Sequence, residues 1–174
     1  NEIVVSASKF RQDIRRLPVR VKRIDADDIA ISQPQTTADL LSRTGSVYVQ
    51  KSQLGGGSPM IRGFATNRVL ITVDGVRMNN AIFRGGNIQN IISIDPYTIE
   101  SSELIFGPGT VISGSDAIGG VMHFNTRRLP LPRADSIVNK TNLAFRSSTA
   151  TRERTYHIDH VHSSGNWTGY ISFS

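Results

Sequence analysis

Val69-Leu-Ile-Thr-Val-Asp-Gly-Val-Arg-Met78 is the stretch on which the reading of the chain turns. Val69 to Val73 is an unbroken apolar and β-branched run, the signature of a buried strand. Asp74-Gly75 supplies the two positive-φ positions of a two-residue hairpin turn, and Val76-Arg-Met78 returns. The elements around this strand complete the domain.

Those elements are legible on either side. Upstream, Glu2 to Ser6 is a β-branched run fit for a strand or extended arm. Pro18 to Ile24 alternates apolar and basic residues, with Val19, Val21 and Ile24 expected on one side and Arg20 and Lys22 on the other. Asp25 then offers a helix N-cap, with Asp27 and Asp28 in the first turn, where the macrodipole favours anions. Thr36 to Gly45 reads as a short helix, Thr36 and Asp39 forming a capping box and Gly45 taking the left-handed C′ position. Val47 to Val49 reads as a strand and Gly55 to Pro59 as a flexible loop.

Downstream, the glycine- and asparagine-rich stretch Asn79 to Asn90 reads as exposed loop. Asp95-Pro96 starts a helix expected to run through Glu100 into a strand, Glu103 to Phe106. Gly107-Pro-Gly109 breaks it, Thr110 to Ala117 reads as a helical turn, and Gly119 to Phe124 as a strand. The sum is an α+β domain, a small mixed sheet with short helices, over residues 1–126.

The character then changes. Residues 127–136 form a proline-containing linker, and residues 137–174 carry three alternating segments. Leu143 and Phe145 alternate with Asn142 and Arg146, Tyr156 and Ile158 with His157 and Asp159, and Trp167, Ile171 and Phe173 with Thr168, Ser172 and Ser174. Each segment is about nine or ten residues long, enough to cross a bilayer as a tilted antiparallel strand. The same pattern suits a small soluble β-meander, and periodicity alone does not choose. Three strands cannot close a barrel, so the membrane reading makes this the truncated start of one.

Bulk composition narrows the function classes. Without cysteine there is no disulfide framework, thiolate metal site or Cys nucleophile. No apolar run approaches the roughly 18–20 residues of a membrane helix. No signal peptide is visible, so any targeting segment is expected to have been removed. The net charge of +6 invites a nucleic-acid partner, but Arg15-Arg16, Arg127-Arg128 and Arg152/Arg154 are scattered and not interleaved with stacking aromatics. The expectation is therefore no nucleic acid.

Catalytic motifs fail on inspection. Gly109 to Gly114 has phosphate-loop spacing, yet Ser115 stands where lysine is needed. Gly107-Pro-Gly109 begins a dinucleotide fingerprint, but Ile112 replaces its third glycine. His160 and His162 share a strand face, and a polar barrel interior accounts for them better than a metal does. Asp74 and Asp95 are turn and cap residues, not an acid/base pair. No enzyme, cofactor or metal is expected.

Four motifs stand in one order: Pro59-Met-Ile-Arg-Gly-Phe64, Val69 to Arg77, Ile99-Glu-Ser-Ser-Glu-Leu-Ile-Phe-Gly-Pro108, and Gly114-Ser-Asp-Ala-Ile-Gly-Gly-Val121. Together they resemble the plug of TonB-dependent outer-membrane receptors over residues 1–126, with the later strands fitting the start of the barrel. The resemblance implies a Gram-negative outer-membrane importer. Its plug fills the lumen of a 22-stranded barrel and rearranges when the periplasmic protein TonB pulls. Glu2, Ile3, Val4, Val5, Ser6 and Ala7, within residues 1–8, look like the TonB box, which TonB would engage by strand addition; in the family, further chain precedes it. Arg62 and Arg77 match positions that pair with barrel glutamates, partners expected to be missing from this chain. Asn79, Asn80, Phe83, Arg84 and Asn87 would face the ligand at the plug's apex.

Phe106-Gly107-Pro108 departs from the family's usual Arg-Gly-Pro. It resembles the haem or siderophore branch, including receptors of Bacteroidetes type. Met78 to Asn90 holds no His or Tyr to ligate haem iron, so a ferric siderophore is equally implied. The implied partners are TonB, the protein's own barrel, an iron chelate or haem-type ligand, and the outer membrane. The rival reading from another class is a soluble basic α+β module binding nucleic acid or peptide.

Overall fold

The computed structural model describes residues 3–4, 12–13, 17–53, 56–65, 68–78, 90–130, 137–150 and 152–174. In chain order its elements are β1 (Ile3–Val4), β2 (Gln12–Asp13), β3 (Arg20–Asp25), α1 (Ala26–Ser32), α2 (Thr37–Arg43), β4 (Tyr48–Gln53), β5 (Gly56–Met60), β6 (Val69–Val73) and β7 (Val76–Arg77). Then come 3₁₀ turns at Asn90–Ser93 and Pro96–Thr98, β8 (Ile99–Phe106), α3 (Thr110–Ser113), β9 (Gly120–Thr126), β10 (Val138–Ser148), β11 (Glu153–Ser164) and β12 (Trp167–Phe173). The chain divides into two units, Asn1–Thr126 and Arg127–Ser174.

The first unit is built on a five-stranded sheet in the order β3-β8-β9-β6-β7. β6 runs parallel to β9, and every other pairing is antiparallel. The unbroken apolar run of β6 sits where both faces are covered. Val69 and Ile71 join Leu104, Phe106, Met122 and Phe124 in a core that α1, α2 and the 3₁₀ turns close with Ile29, Leu40, Leu41 and Ile91. Leu70 faces the other way, with Ile105 and Val121, under Ala117, Leu17 and Val19. Asp74 and Gly75, both at positive φ, make the hairpin turn to β7.

The helix ends follow their capping residues. Asp28 accepts a hydrogen bond from the Asp25 backbone N–H at 3.4 Å, and Thr36 Oγ1 accepts from the Asp39 N–H at 3.2 Å. Gly45 adopts the left-handed conformation after α2, and Lys22 Nζ donates to the Thr44 carbonyl at 2.7 Å. Thr37 Oγ1 donates to the Ile94 carbonyl at 2.5 Å, fixing α2 against the 3₁₀ turn below it.

Three expectations change. Val21 and Ile24 do not share a side: Val21 belongs to the core with Leu70, Ile24 to the core with Ile71. Strand side chains alternate, so residues three apart point to opposite faces. The glycine-rich stretch is not a loop, since Gly56–Met60 pairs antiparallel with β4, Pro59 opposite Val49. A proline is tolerated there because this sheet has only two strands, leaving an edge that needs no N–H. The helix at Asp95 ends at Thr98, because the ladder with β9 begins at Ile99 opposite Thr126. The expected loop after Met78 is not tested, since residues 79–89 lie outside the described residues.

The second unit is an antiparallel sheet, β10-β11-β12, turned inside out. Leu143, Ile158 and Phe173 stand in one cross-strand row, and all are exposed. Phe145 and Tyr156 stack beside them, ring centroids 5.1 Å apart, and Ile171 lies on the same face. On the opposite face His157, Asp159 and Ser163 are buried, Asp159 completely. The histidines correct the expected polar interior. Strand parity puts His160 and His162 on the apolar face, each ring bonded across to β10, His160 Nδ1 to Thr141 Oγ1 (2.8 Å) and His162 Nδ1 to Asn139 Oδ1 (2.6 Å). Only His157 lies on the polar face.

Candidate functional site

The motif residues of the first unit converge from four segments. Ile61 and Phe64 exchange backbone hydrogen bonds at 2.8 and 2.9 Å, closing a turn in which Arg62 and Gly63 both take positive φ. That turn displays Arg62 in solvent. It also packs Phe64 onto Gly119, where a Cβ would come within 2.2 Å of the Phe64 Cβ. The Asp74-Gly75 hairpin carries Arg77 to Asp116, Nη2 to Oδ2 at 2.5 Å, and Ser115 Oγ donates to the same carboxylate at 3.3 Å. Arg77 therefore has a partner inside this chain besides the barrel glutamate that the family resemblance implies. Polar motif residues on a neighbouring loop, Gly114-Ser115-Asp116, supply the inner partner.

Asp74 does more than turn the hairpin. Its Oδ1 accepts from the Thr126 N–H at 2.8 Å and its Oδ2 from the Thr126 hydroxyl at 2.7 Å, tying down the last residue of the sheet. Asp95 is the cap it was read to be, accepting from the Tyr97 N–H at 2.9 Å.

A polar row crosses the sheet interior. In register stand Arg23, Glu103, His123 and Thr72, with Glu103 buried and 3.7 Å from the Arg23 guanidinium. His123 Nδ1 meets the Thr72 hydroxyl, and its Nε2 is buried without a hydrogen-bond partner. Burial holds the His123 pKa below its ordinary value, with the Glu103 carboxylate pulling the other way. Nothing in single-sequence periodicity marks this row, because it is assembled from four strands.

The polar face of the second unit centres on Asp159. Its carboxylate meets Arg127 Nη1 at 2.8 Å, Asn142 Nδ2 at 2.7 Å and His157 Nε2 at 3.2 Å. His157 Nδ1 meets Ser174 Oγ at 2.6 Å. Among the described residues no cluster of three or more His, Asp or Glu could hold a metal ion.

Ile3 and Val4 form a strand paired with Asp13 and Gln12. Glu2, Val5, Ser6 and Ala7, and the apical candidates Asn79, Asn80, Phe83, Arg84 and Asn87, lie outside the described residues.

A mixed sheet with short helices, followed by antiparallel strands whose apolar side faces out, has the make-up of a receptor plug followed by barrel strands. Known proteins agree. The TonB-dependent Receptor Plug Domain family matches residues 13–121, and this chain belongs to that family. The vitamin B12 transporter BtuB of Vibrio vulnificus (strain CMCP6) is 39% identical over 128 residues, covering 71% of this chain and 20% of that protein. BtuB of Photobacterium profundum is 31% identical over 130 residues, 74% of this chain and 21% of that protein. Among solved structures, the copper transporter OprC superposes with a TM-score of 0.66 at 21% identity, over 87% of this chain and 22% of that one. The pyoverdine receptor FpvA of Pseudomonas aeruginosa PAO1 does so at 0.65 and 14% identity, over 92% and 24%. The chain thus spans about a fifth of the length of these two BtuB relatives. The proteins named here are transporters and receptors, not enzymes.

Proposed function

We propose that this chain is the gate of a TonB-dependent importer of the Gram-negative outer membrane, together with the first strands of its barrel. The cargo in this reading is a ferric siderophore, haem or a similar scarce nutrient. The observation that carries the reading beyond family membership is the inverted sheet. Leu143, Phe145, Tyr156, Ile158, Ile171 and Phe173 are exposed while Asp159 and Ser163 are buried, the reverse of a water-soluble sheet and the arrangement of a lipid-facing wall. A soluble binding module would gain nothing from that inversion.

In this reading residues 1–126 are the plug, 127–136 the linker and 137–174 barrel strands. Glu2 to Ala7 serve as the handle for TonB. Among the described residues Val4 lies in a two-stranded ribbon, which leaves that strand one edge for an added strand. Arg62, exposed on its turn, is free to reach a barrel carboxylate, whereas Arg77 is shared with Asp116. Asn79, Asn80, Phe83, Arg84 and Asn87 supply the apical ligand contacts.

The test is growth of a strain deleted for the full gene on defined sources: ferric siderophores, haem and, since two relatives are named for it, vitamin B12. Loss of growth on one source, restored by the intact gene, supports the reading and names the cargo. Normal growth on all of them overturns it. Val4→Pro in the full-length protein removes a backbone donor from the added strand and should abolish uptake with ligand binding intact.

A further inference from the structure

The passage between the two units has an asymmetry that the gating reading does not itself require. Two consecutive residues are clamped, each within its own unit. Thr126 is held by Asp74 through two hydrogen bonds of 2.8 and 2.7 Å in an exposed setting. Arg127 is held by Asp159, at 2.8 Å, in a carboxylate with no solvent exposure that also accepts from Asn142 and His157. Three residues further on, the Pro130 carbonyl accepts from Thr168 Oγ1 at 3.1 Å, so the linker stem follows the polar face of the sheet.

The two clamps differ in kind. Exposed hydrogen bonds exchange with water and yield readily. A charge-assisted pair on a carboxylate with no solvent exposure holds harder, even with Arg127 itself 33% exposed, because breaking it leaves the buried Asp159 charge with only Asn142 and His157 to meet it. We propose that Arg127 and Asp159 form a stop clasp: under a pull from the N-terminus the chain unravels through β9 to Thr126 and halts at Arg127, keeping the linker and β10 on the barrel wall. Arg127 is a positioning residue, which keeps the moving part of the gate from dragging out the first barrel strand. This inference rests on the first unit being a movable plug.

The experiment is force spectroscopy on the full-length receptor in a lipid bilayer, pulled by its N-terminus, so that no TonB is needed. In the wild type the length released before the strands begin to yield ends at Arg127. In Asp159→Asn, and separately in Arg127→Gln, it extends through residues 127–137 to the start of β10, a shift of about 36–40 Å at the usual ~3.3–3.6 Å per extended residue. Two variants on different segments guard against one of them misfolding. A wild-type end point already at Val138, or an end point that neither variant moves, overturns the clasp and leaves the plug reading standing. A wild type in which the strands yield before any plug length is released overturns both.

Discussion

His123, a half-buried ring, should couple the plug to pH. It stands between Glu103 and Thr72 in the sheet, with Nε2 unpartnered. Desolvation lowers its pKa, the nearby Glu103 charge opposing. The unfolded chain takes up the proton near the ordinary value of 6.5, while the folded sheet resists it. Stability is therefore fully present above that value and is lost as pH falls toward the lower folded pKa. Hydrogen-exchange protection of β9 in the full-length receptor should be weaker at about pH 5.5 than at about 7.5, on either side of the ordinary histidine value. His123→Gln should flatten the difference, and an unaltered difference in that variant would place the effect elsewhere. Arg77 and Asp116 behave otherwise. Their side chains are 45% and 33% exposed, so solvent screens the pair. Asp116→Asn should cost no more than about 1 kcal/mol in a denaturant titration. Caps were legible at this scale, since Asp25, Thr36 and Asp95 act on neighbours two or three residues away. The partners of Arg77 and His123 were not, because they come from distant segments.

Elements approach one another most closely where glycine permits it. A Cβ on Gly120 would lie 2.7 Å from the Ile105 carbonyl oxygen, a backbone atom of the neighbouring strand that cannot swing aside. Gly120→Ala should therefore destabilise the plug by about 1–3 kcal/mol, in the range of overpacked cores. By contrast Gly169 has no atom within 4 Å of such a Cβ and no positive φ, so Gly169→Ala should be close to neutral. Thermal unfolding of the two variants compares them directly, and equal losses would refute the steric account. The same scale explains the misread β5. Gly56 to Met60 has the composition of a loop, and only its pairing with β4 makes it a strand. Where a segment's conformation is set by a partner elsewhere in the chain, local composition cannot reveal it. β6 and its hairpin were legible because Asp74-Gly75 encodes the turn locally.

Across the whole molecule the deciding property is which face of the second unit meets solvent. Alternation along β10, β11 and β12 divides side chains into two sets, but periodicity does not say which set is outside. The structure does: the apolar row Leu143–Ile158–Phe173 is exposed, while the opposite face gathers Asp159, His157 and Arg127. If that exposed row is the lipid-facing wall of a barrel, neighbouring residues on one strand should respond oppositely to charge. Phe173→Arg puts a cation into hydrocarbon, at up to about 2–4 kcal/mol near the bilayer midplane. Ser172→Arg, one residue away on the polar face, should be tolerated. Urea titration of each full-length variant refolded into lipid vesicles, with the folded fraction read by resistance to protease, measures the difference. A soluble meander would show the reverse order or none, since arginine on its exposed apolar face would improve solubility and stability alike. Equal stability of the two variants would therefore remove the membrane assignment of residues 137–174 while leaving the plug sheet, which rests on β6 and its partners, in place.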